Sequence, residues 1–142
     1  ASNRRILCAS PHYLAREGVP GHPEELCNYS CGVIRENQAD VTMWGFTGPD
    51  DERHSVRIHP AFASNDGEVV KSWAADDMGI IQRSEWNVAA ELADGRLKQI
   101  FETYVMPDAD IIALISPRTL RTARVQHALE ALTAALSFCP WR

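Results

Sequence analysis

Ile6-Leu7-Cys8-Ala9-Ser10-Pro11-His12-Tyr13-Leu14-Ala15-Arg16-Glu17-Gly18 is the stretch that decides the fold. Ile6–Ala9 is a short apolar run and reads as a strand. Ser10-Pro11 then opens a helix. A serine hydroxyl caps the unpaired N–H groups of a first turn, and proline suits the first helical position because its missing N–H would go unpaired there anyway. Tyr13 and Leu14 supply the apolar face. Gly18 closes the helix as a left-handed cap, and Pro20 prevents continuation. His22-Pro23-Glu24-Glu25-Leu26 repeats the pattern as one acidic-started turn.

The alternation continues outward from this unit. Cys31–Arg35 reads as a strand. Val41–Phe46 reads as another, with Trp44 and Phe46 on one face by the period of two. Gly48-Pro49-Asp50-Asp51 signals a turn. His54–Phe62, alternating through Val56 and Ile58, is the expected return strand of a hairpin. Ser64-Asn65-Asp66 opens a helix with Val69, Val70 and Trp73 as its apolar stripe, and Asp66 and Glu68 suit the positive end of its dipole. Gly79-Ile80-Ile81 is a short buried strand. Ser84 caps the next helix, through Val88, Ala89, Leu92 and Ala93, and Gly95 stops it. Leu97–Tyr104 is extended or mixed, and Pro107-Asp108 is a break. Ile111–Ile115 is continuous in apolar residues, so it is expected as a strand buried on both faces. Ser116-Pro117 breaks it. Leu120–Phe138 is the longest helix, with Val125, Leu129, Leu132 and Leu136 at spacings of four, three and four. The order β-α-β-β-β-α-β-α-β-β-α argues for an α/β fold with a mixed sheet.

Composition narrows the function. At 142 residues the chain is one domain, with two very small lobes as the upper limit. Hydrophobic residues at 45% and charged residues at 23% fit an ordinary folded chain. Apolar runs of about five or six residues fall far short of the roughly 20 that a membrane helix needs. Ser2-Asn3-Arg4-Arg5 leads into only five apolar or small residues, and no signal peptide is expected from it. With 14 basic against 19 acidic residues the formal net charge is −5, which disfavours direct nucleic-acid binding. Cys8, Cys27, Cys31 and Cys139 read as free cytosolic thiols, Cys8 as a small buried hydrophobe. His22, Cys27 and Cys31 form H-x4-C-x3-C, but the tight pair and second pair of a zinc site are missing, so no metal is assigned. His12, His54, His59 and His127 suggest no constellation.

No catalytic grouping stands out. G-x-S-x-G, Walker and G-x-G-x-x-G motifs are absent. Asp50-Asp51-Glu52 and Asp76-Asp77 read as solvated turns. Ser10, Ser64 and Ser84 each stand between a strand and a helix. In open α/β sheets such junctions gather at one edge, which is the usual ligand crevice, and helix N-termini there suit a carboxylate or similar anion. The competing reading is that the caps only stabilise their helices.

The run Arg4 to Gly18, with Pro20 and His22-Pro23-Glu24-Glu25-Leu26, resembles the effector-binding domain of LysR-type transcriptional regulators. So do Trp44-Gly45-Phe46, Ser64-Asn65-Asp66-Gly67, Met78-Gly79-Ile80-Ile81 and Glu91-Leu92-Ala93-Asp94-Gly95-Arg96-Leu97, in that order. The late strand Ile111–Ile115 and the helix through Val125 and Leu129 match in order as well. The resemblance implies two α/β lobes like those of periplasmic binding proteins, joined by two crossover strands, with a small-molecule effector between them. Residues 1–107 would be the second lobe, and 108–142 the return crossover strand and the C-terminal helix of the first lobe. DNA would be bound only through a winged helix-turn-helix domain absent from this chain. A cytoplasmic homo-oligomer without a cofactor, a membrane association or an enzymatic activity is implied.

By the same resemblance the second-lobe side of the cleft falls on Ser10, Pro11, Ala63, Ser64, Asn65, Asp66 and Met78. The family often has Gly at the Asp77 position and Leu-Pro where this chain has Gln82-Arg83, so Gln82 or Arg83 would tune the ligand. The Ile111–Ile115 strand and the Val125/Leu129/Leu132/Leu136 face would pack on the first lobe. Exposed, they would promote self-association. The alternative is an exported solute-binding protein of the same fold. An enzyme on this scaffold is the third reading, and it lacks a catalytic constellation.

Overall fold

A computed structural model describes residues 1–35, 40–116 and 122–141. In chain order the elements are β1 (Arg5–Ala9), α1 (Pro11–Glu17), a 3-10 helix (Pro23–Asn28), β2 (Cys31–Ile34), β3 (Met43–Thr47), β4 (Arg53–Arg57), β5 (Pro60–Ser64), α2 (Gly67–Ala75), β6 (Ile80–Ser84), α3 (Glu85–Ala93), β7 (Lys98–Ile100) and α4 (Ala123–Leu136). Five strands make a mixed sheet in the order β5-β2-β6-β1-β7, and β3 and β4 form a separate antiparallel hairpin. The expected α/β class with a mixed sheet is what forms.

Alternation along the strands builds two apolar layers. In β1, Leu7 and Ala9 join Tyr13, Leu26, Val33, Trp44, Phe46, Val56 and Ile80 on one face. Ile6 and Cys8 join Phe62, Val70, Ala74, Ile81, Val88 and Leu97 on the other. The hairpin, α1 and the 3-10 helix therefore cover one face of the sheet, and α2 and α3 the other. Gly32 sits where β2 shifts register, and a Cβ there would collide with the ring of Phe62.

Local capping follows the sequence. Ser10 caps α1 by accepting from the Tyr13 amide at 2.9 Å, and Gly18 follows α1 at φ 89°. Asp66 caps α2, accepting from the Glu68 amide at 2.8 Å. Ser84 occupies the cap position of α3 but makes no capping side-chain bond. Gly95, at φ 79°, lies just past the end of α3.

Two expectations fail. His54–Phe62 is not one strand: β4 pairs with β3, and β5 crosses to the main sheet, parallel to β2. Pro60 is the reason: it lacks an N–H, which confines it to edge strands, strand starts or bulges, and here it opens the edge strand β5. The break also rolls the faces, so Val56 and Ile58 enter one layer and Phe62 the other. Ile111–Ile115 forms no strand and is not buried: Ile112 is 74% and Leu114 91% exposed. Ile111 pairs through its main chain with Ala1, at 2.9 and 2.8 Å. Helix α4 forms as expected but fully buries none of its described residues: Val125, Leu129 and Leu136 are half-buried and Leu132 is exposed. Pro117 and the Leu120 start expected for that helix lie outside the described residues. Among the described residues no helix is long and apolar enough to cross a membrane.

Two segments cross between the sheet and the C-terminal region. Asn3 and Ala109 hold them together: the Ala109 amide donates to the Asn3 carbonyl at 3.1 Å, and Asn3 Nδ2 donates to the Ala109 carbonyl at 2.9 Å. Asn3 is fully buried.

Candidate functional site

Strand direction decides where a ligand can sit. β1 is antiparallel to β6, with Arg5 opposite Ser84 and Cys8 opposite Ile81, whereas β2 is parallel to both β5 and β6. One end of the sheet therefore carries the start of β1 and the last residues of β2, β5 and β6. The other end carries Ser10 and the entry into β6. Only the junctions after β5 and β6 share an end. The expected gathering of all three does not occur.

At the first end lies an open cleft of about 540 Å³, lined by Arg5, Gly32, Val33, Ile34, Asp40, Val41, Met43, Trp44, Gly45, Gln82, Arg83, Ser84 and Pro107. Of the eight expected site residues, Gln82 lines it. Ala63, Ser64, Asn65 and Asp66 reach the same end without lining it: Ser64 is the register partner of Ile34, and its carbonyl accepts from the Arg35 amide at 2.9 Å. Ser64 Oγ accepts from the Asp66 amide at 3.1 Å, so these polar groups serve the start of α2.

Ser10, Pro11 and Met78 stand at the far end. Ser10 Oγ donates to Asp77 Oδ1, and His12 Nδ1 lies 2.8 Å from Asp77 Oδ2. Arg16 Nη2 donates to the Asp77 carbonyl at 3.2 Å. The Ser10 hydroxyl first, and His12 after it, hold the Asp77 carboxyl below the usual range. Asp77 has φ 65°, the left-handed region that favours glycine, which gives the physical reason for Gly being frequent there in the resembling family. Ser10 is thus a cap that anchors the turn into β6.

Charge at the cleft is organised from α2 and α3. Arg83 donates through Nε to Asn87 Oδ1 at 2.8 Å, and Asn87 Nδ2 donates to Glu68 Oε1 at 2.7 Å. Lys71 continues the chain to Glu68 at 2.8 Å and Glu91 at 3.4 Å. Lys71, then Asn87, keep the Glu68 carboxyl below its ordinary range. The Arg83 guanidinium lies over Gly67, where a Cβ would meet Nη2 at 2.7 Å. Arg5 faces the same space from β1. The Arg5 guanidinium, the Gln82 carboxamide, the Ser84 hydroxyl and the Trp44 ring can hold a small polar molecule, with Asp40 as the opposing charge.

Arg5, Ile34, Asp40 and Trp44 escaped sequence reasoning. For Arg5 the signal is the antiparallel register of β1 on β6, which no short motif carries. The H-x4-C-x3-C pattern does not assemble either: the Cys27 thiol donates to the Glu24 carbonyl at 3.1 Å, and Cys31 is buried. Instead His22 meets His54, which the sequence left scattered, with ring centroids 4.7 Å apart.

The family described as LysR substrate binding domain matches residues 1–137. The chain is 35% identical over 132 residues to the HTH-type transcriptional regulator DmlR of Escherichia coli K12, covering 93% of this chain and 42% of that protein. It is equally similar, over the same spans, to the HTH-type transcriptional activator TtdR of the same strain. It therefore spans less than half the length of these relatives. The regulatory domain of CrgA from Neisseria meningitidis shares the fold, with a TM-score of 0.73 at 24% identity over 96% of this chain and 66% of that one.

Proposed function

Because this chain belongs to the LysR substrate-binding-domain family, we propose that it is the effector-sensing half of a DNA-binding transcriptional regulator. The observation that carries the proposal is the half-built cleft. It opens at the end of the sheet where the Asn3–Ala109 crossover runs, and its walls are polar and cationic rather than catalytic. A ligand held by Arg5, Gln82, Arg83 and Ser84 touches the same end of the sheet as the crossover, so its binding energy can bias the crossover geometry. The Arg5 guanidinium favours a small molecule with an anionic group.

In this reading residues 1–107 are one lobe and 108–142 the return crossover and closing helix of a second. DNA is contacted by a helix-turn-helix elsewhere in the protein, and the protein is a cytoplasmic oligomer. Gln82 is the effector contact retained from the sequence. Ser64 to Asp66 flank the cleft, and Ser10, Pro11 and Met78 act structurally.

The test is a mobility-shift titration with the full-length protein and the DNA upstream of its own gene, alongside a promoter reporter. Specific DNA binding is expected. Arg5→Ala and Gln82→Ala are expected to blunt the small-molecule response while leaving effector-free DNA binding intact. Asn65→Ala is the comparison, with a smaller effect. A full-length protein that binds no DNA and is recovered outside the cytoplasm would replace this reading with the exported solute-binding protein.

A further inference from the structure

We propose that His22, Glu24 and His54 form a binding site for a divalent ion of the zinc class, tying the 3-10 helix to the β3–β4 hairpin. One ligating atom from each of the three lies within 4.8 Å of the others. Zinc–nitrogen bonds of about 2.0–2.1 Å at a tetrahedral centre place neighbouring ligands about 3.3 Å apart. Glu24 can close most of that difference, because its side chain is 77% exposed and changes rotamer without disturbing the core. The imidazoles come from separate elements and are pre-positioned. His22 and His54 meet edge-on, and Tyr104 backs them at 6.0 and 5.9 Å between ring centroids.

A second observation points to a ligand. His54 Nε2 is shut off from solvent and makes no hydrogen bond. The nearest carboxylate oxygen given to it, Glu52 Oε1, stands at 3.6 Å. Edge-to-face packing accounts for the rings but leaves this nitrogen with only the long ion-pair approach of Glu52. A bound cation would give it a direct ligand bond. Glu52, whose Oε1 faces the same Nε2, adds a second negative charge beside the site. Two imidazoles with one carboxylate suit zinc and its neighbours, whereas calcium and magnesium require oxygen-rich sites. The site is separate from the cleft: His54 pairs with Phe46, and the cleft is lined by Met43, Trp44 and Gly45 at the other end of the hairpin.

The experiment is calorimetric titration of zinc sulfate into the chain carrying Cys27→Ser and Cys139→Ser, which removes the two thiols that are not buried. Thermal unfolding with and without zinc runs alongside. One zinc per chain and a raised melting temperature are expected, with no response to calcium or magnesium. His22→Gln and Glu24→Gln each alter a side chain with substantial exposure, so both variants should fold. Each is expected to weaken zinc by at least about tenfold, the lower bound for loss of even an outer-sphere group. His54→Gln should do the same, and His127→Gln, on α4, should change nothing. The absence of saturable zinc binding, or equal affinity in wild type, His22→Gln and Glu24→Gln, would overturn the proposal.

Discussion

Replacing Asn3 should loosen the crossover more than any exposed substitution. Asn3 is fully buried and ties three parts of the chain together. Its Nδ2 donates to the Ala109 carbonyl at 2.9 Å, its amide donates to Asp110 Oδ1 at 3.0 Å, and its Oδ1 accepts from the Trp86 amide at 3.5 Å. Asn3→Ala keeps the backbone bonds and deletes both side-chain bonds. The short bond is worth about 1 kcal/mol net, the 3.5 Å bond little, and stranding the partly buried Ala109 carbonyl adds up to about 1 more. The sum is about 2 kcal/mol, or a urea midpoint lowered by about 1 M at a slope of about 2 kcal/mol per M. Asn3→Asp is the sharper variant. It sets an acceptor against the Ala109 carbonyl and a charge near Asp110, so it should cost at least as much at neutral pH. Protonation restores a donor, so its folded-state pKa is raised and its deficit narrows as pH falls. Urea unfolding at low protein concentration reads both, and amide exchange at Ala109 and Ile111 should quicken. Two variants within about 0.5 kcal/mol of wild type would refute the idea that Asn3 latches the crossover.

The turn at Asp77 gives a pH-dependent test. Its folded pKa is depressed, so the stabilisation is present above the unfolded value of about 3.9 and is lost as pH falls through the folded value. Asp77→Gly should remove this acid-side component yet stay close to wild type at neutral pH, because glycine accepts φ 65°. Asp77→Ala should be less stable than Asp77→Gly; the reverse order in thermal melts would refute the strain argument. Burial pushes the Cys8 and Cys31 thiols up to about 12. Iodoacetamide should therefore modify Cys27 and Cys139 in the native chain and all four cysteines only after unfolding, as read by mass spectrometry. Ile112, Leu114 and Phe138 are 74%, 91% and 89% exposed, so light scattering should show concentration-dependent self-association. A monomer throughout would place these residues against nothing in solution.

Elements governed by nearby residues were legible, and those governed by distant partners were not. Ser10-Pro11, Gly18, Asp66 and Gly95 mark helix ends through contacts within a few residues, so α1, α2 and α3 stand where their caps place them. Val125, Leu129, Leu132 and Leu136 specify a helix by spacing, and that helix forms although none of these residues is fully buried. Ile111–Ile115 is the opposite case. Its composition suits a buried strand, but a strand exists only through its neighbours, and here Ala1 is the main-chain partner of Ile111. Pro60 ends the hairpin strand despite the continuing alternation of Val56 and Ile58 before it.

The three junctions do not gather at one end for a topological reason. Three strand-to-helix junctions share one end of a sheet only if their strands are parallel, and the crevice rule assumes this. β1 enters antiparallel to β6, which sends Ser10 to the end opposite Ser84 and brings Arg5 to the cleft instead. Nothing within Ile6–Ala9 encodes that direction, because the same apolar alternation serves either orientation. The direction is set by the crossover: Asn3 is pinned to Ala109 and Asp110, and the Glu85 amide donates to the Arg4 carbonyl at 2.9 Å. The Glu85 carboxylate also holds the Arg4 guanidinium at 2.6 Å. These contacts fix the start of β1 beside the end of β6. The residues that latch the crossover thus also decide which side chains face the cleft.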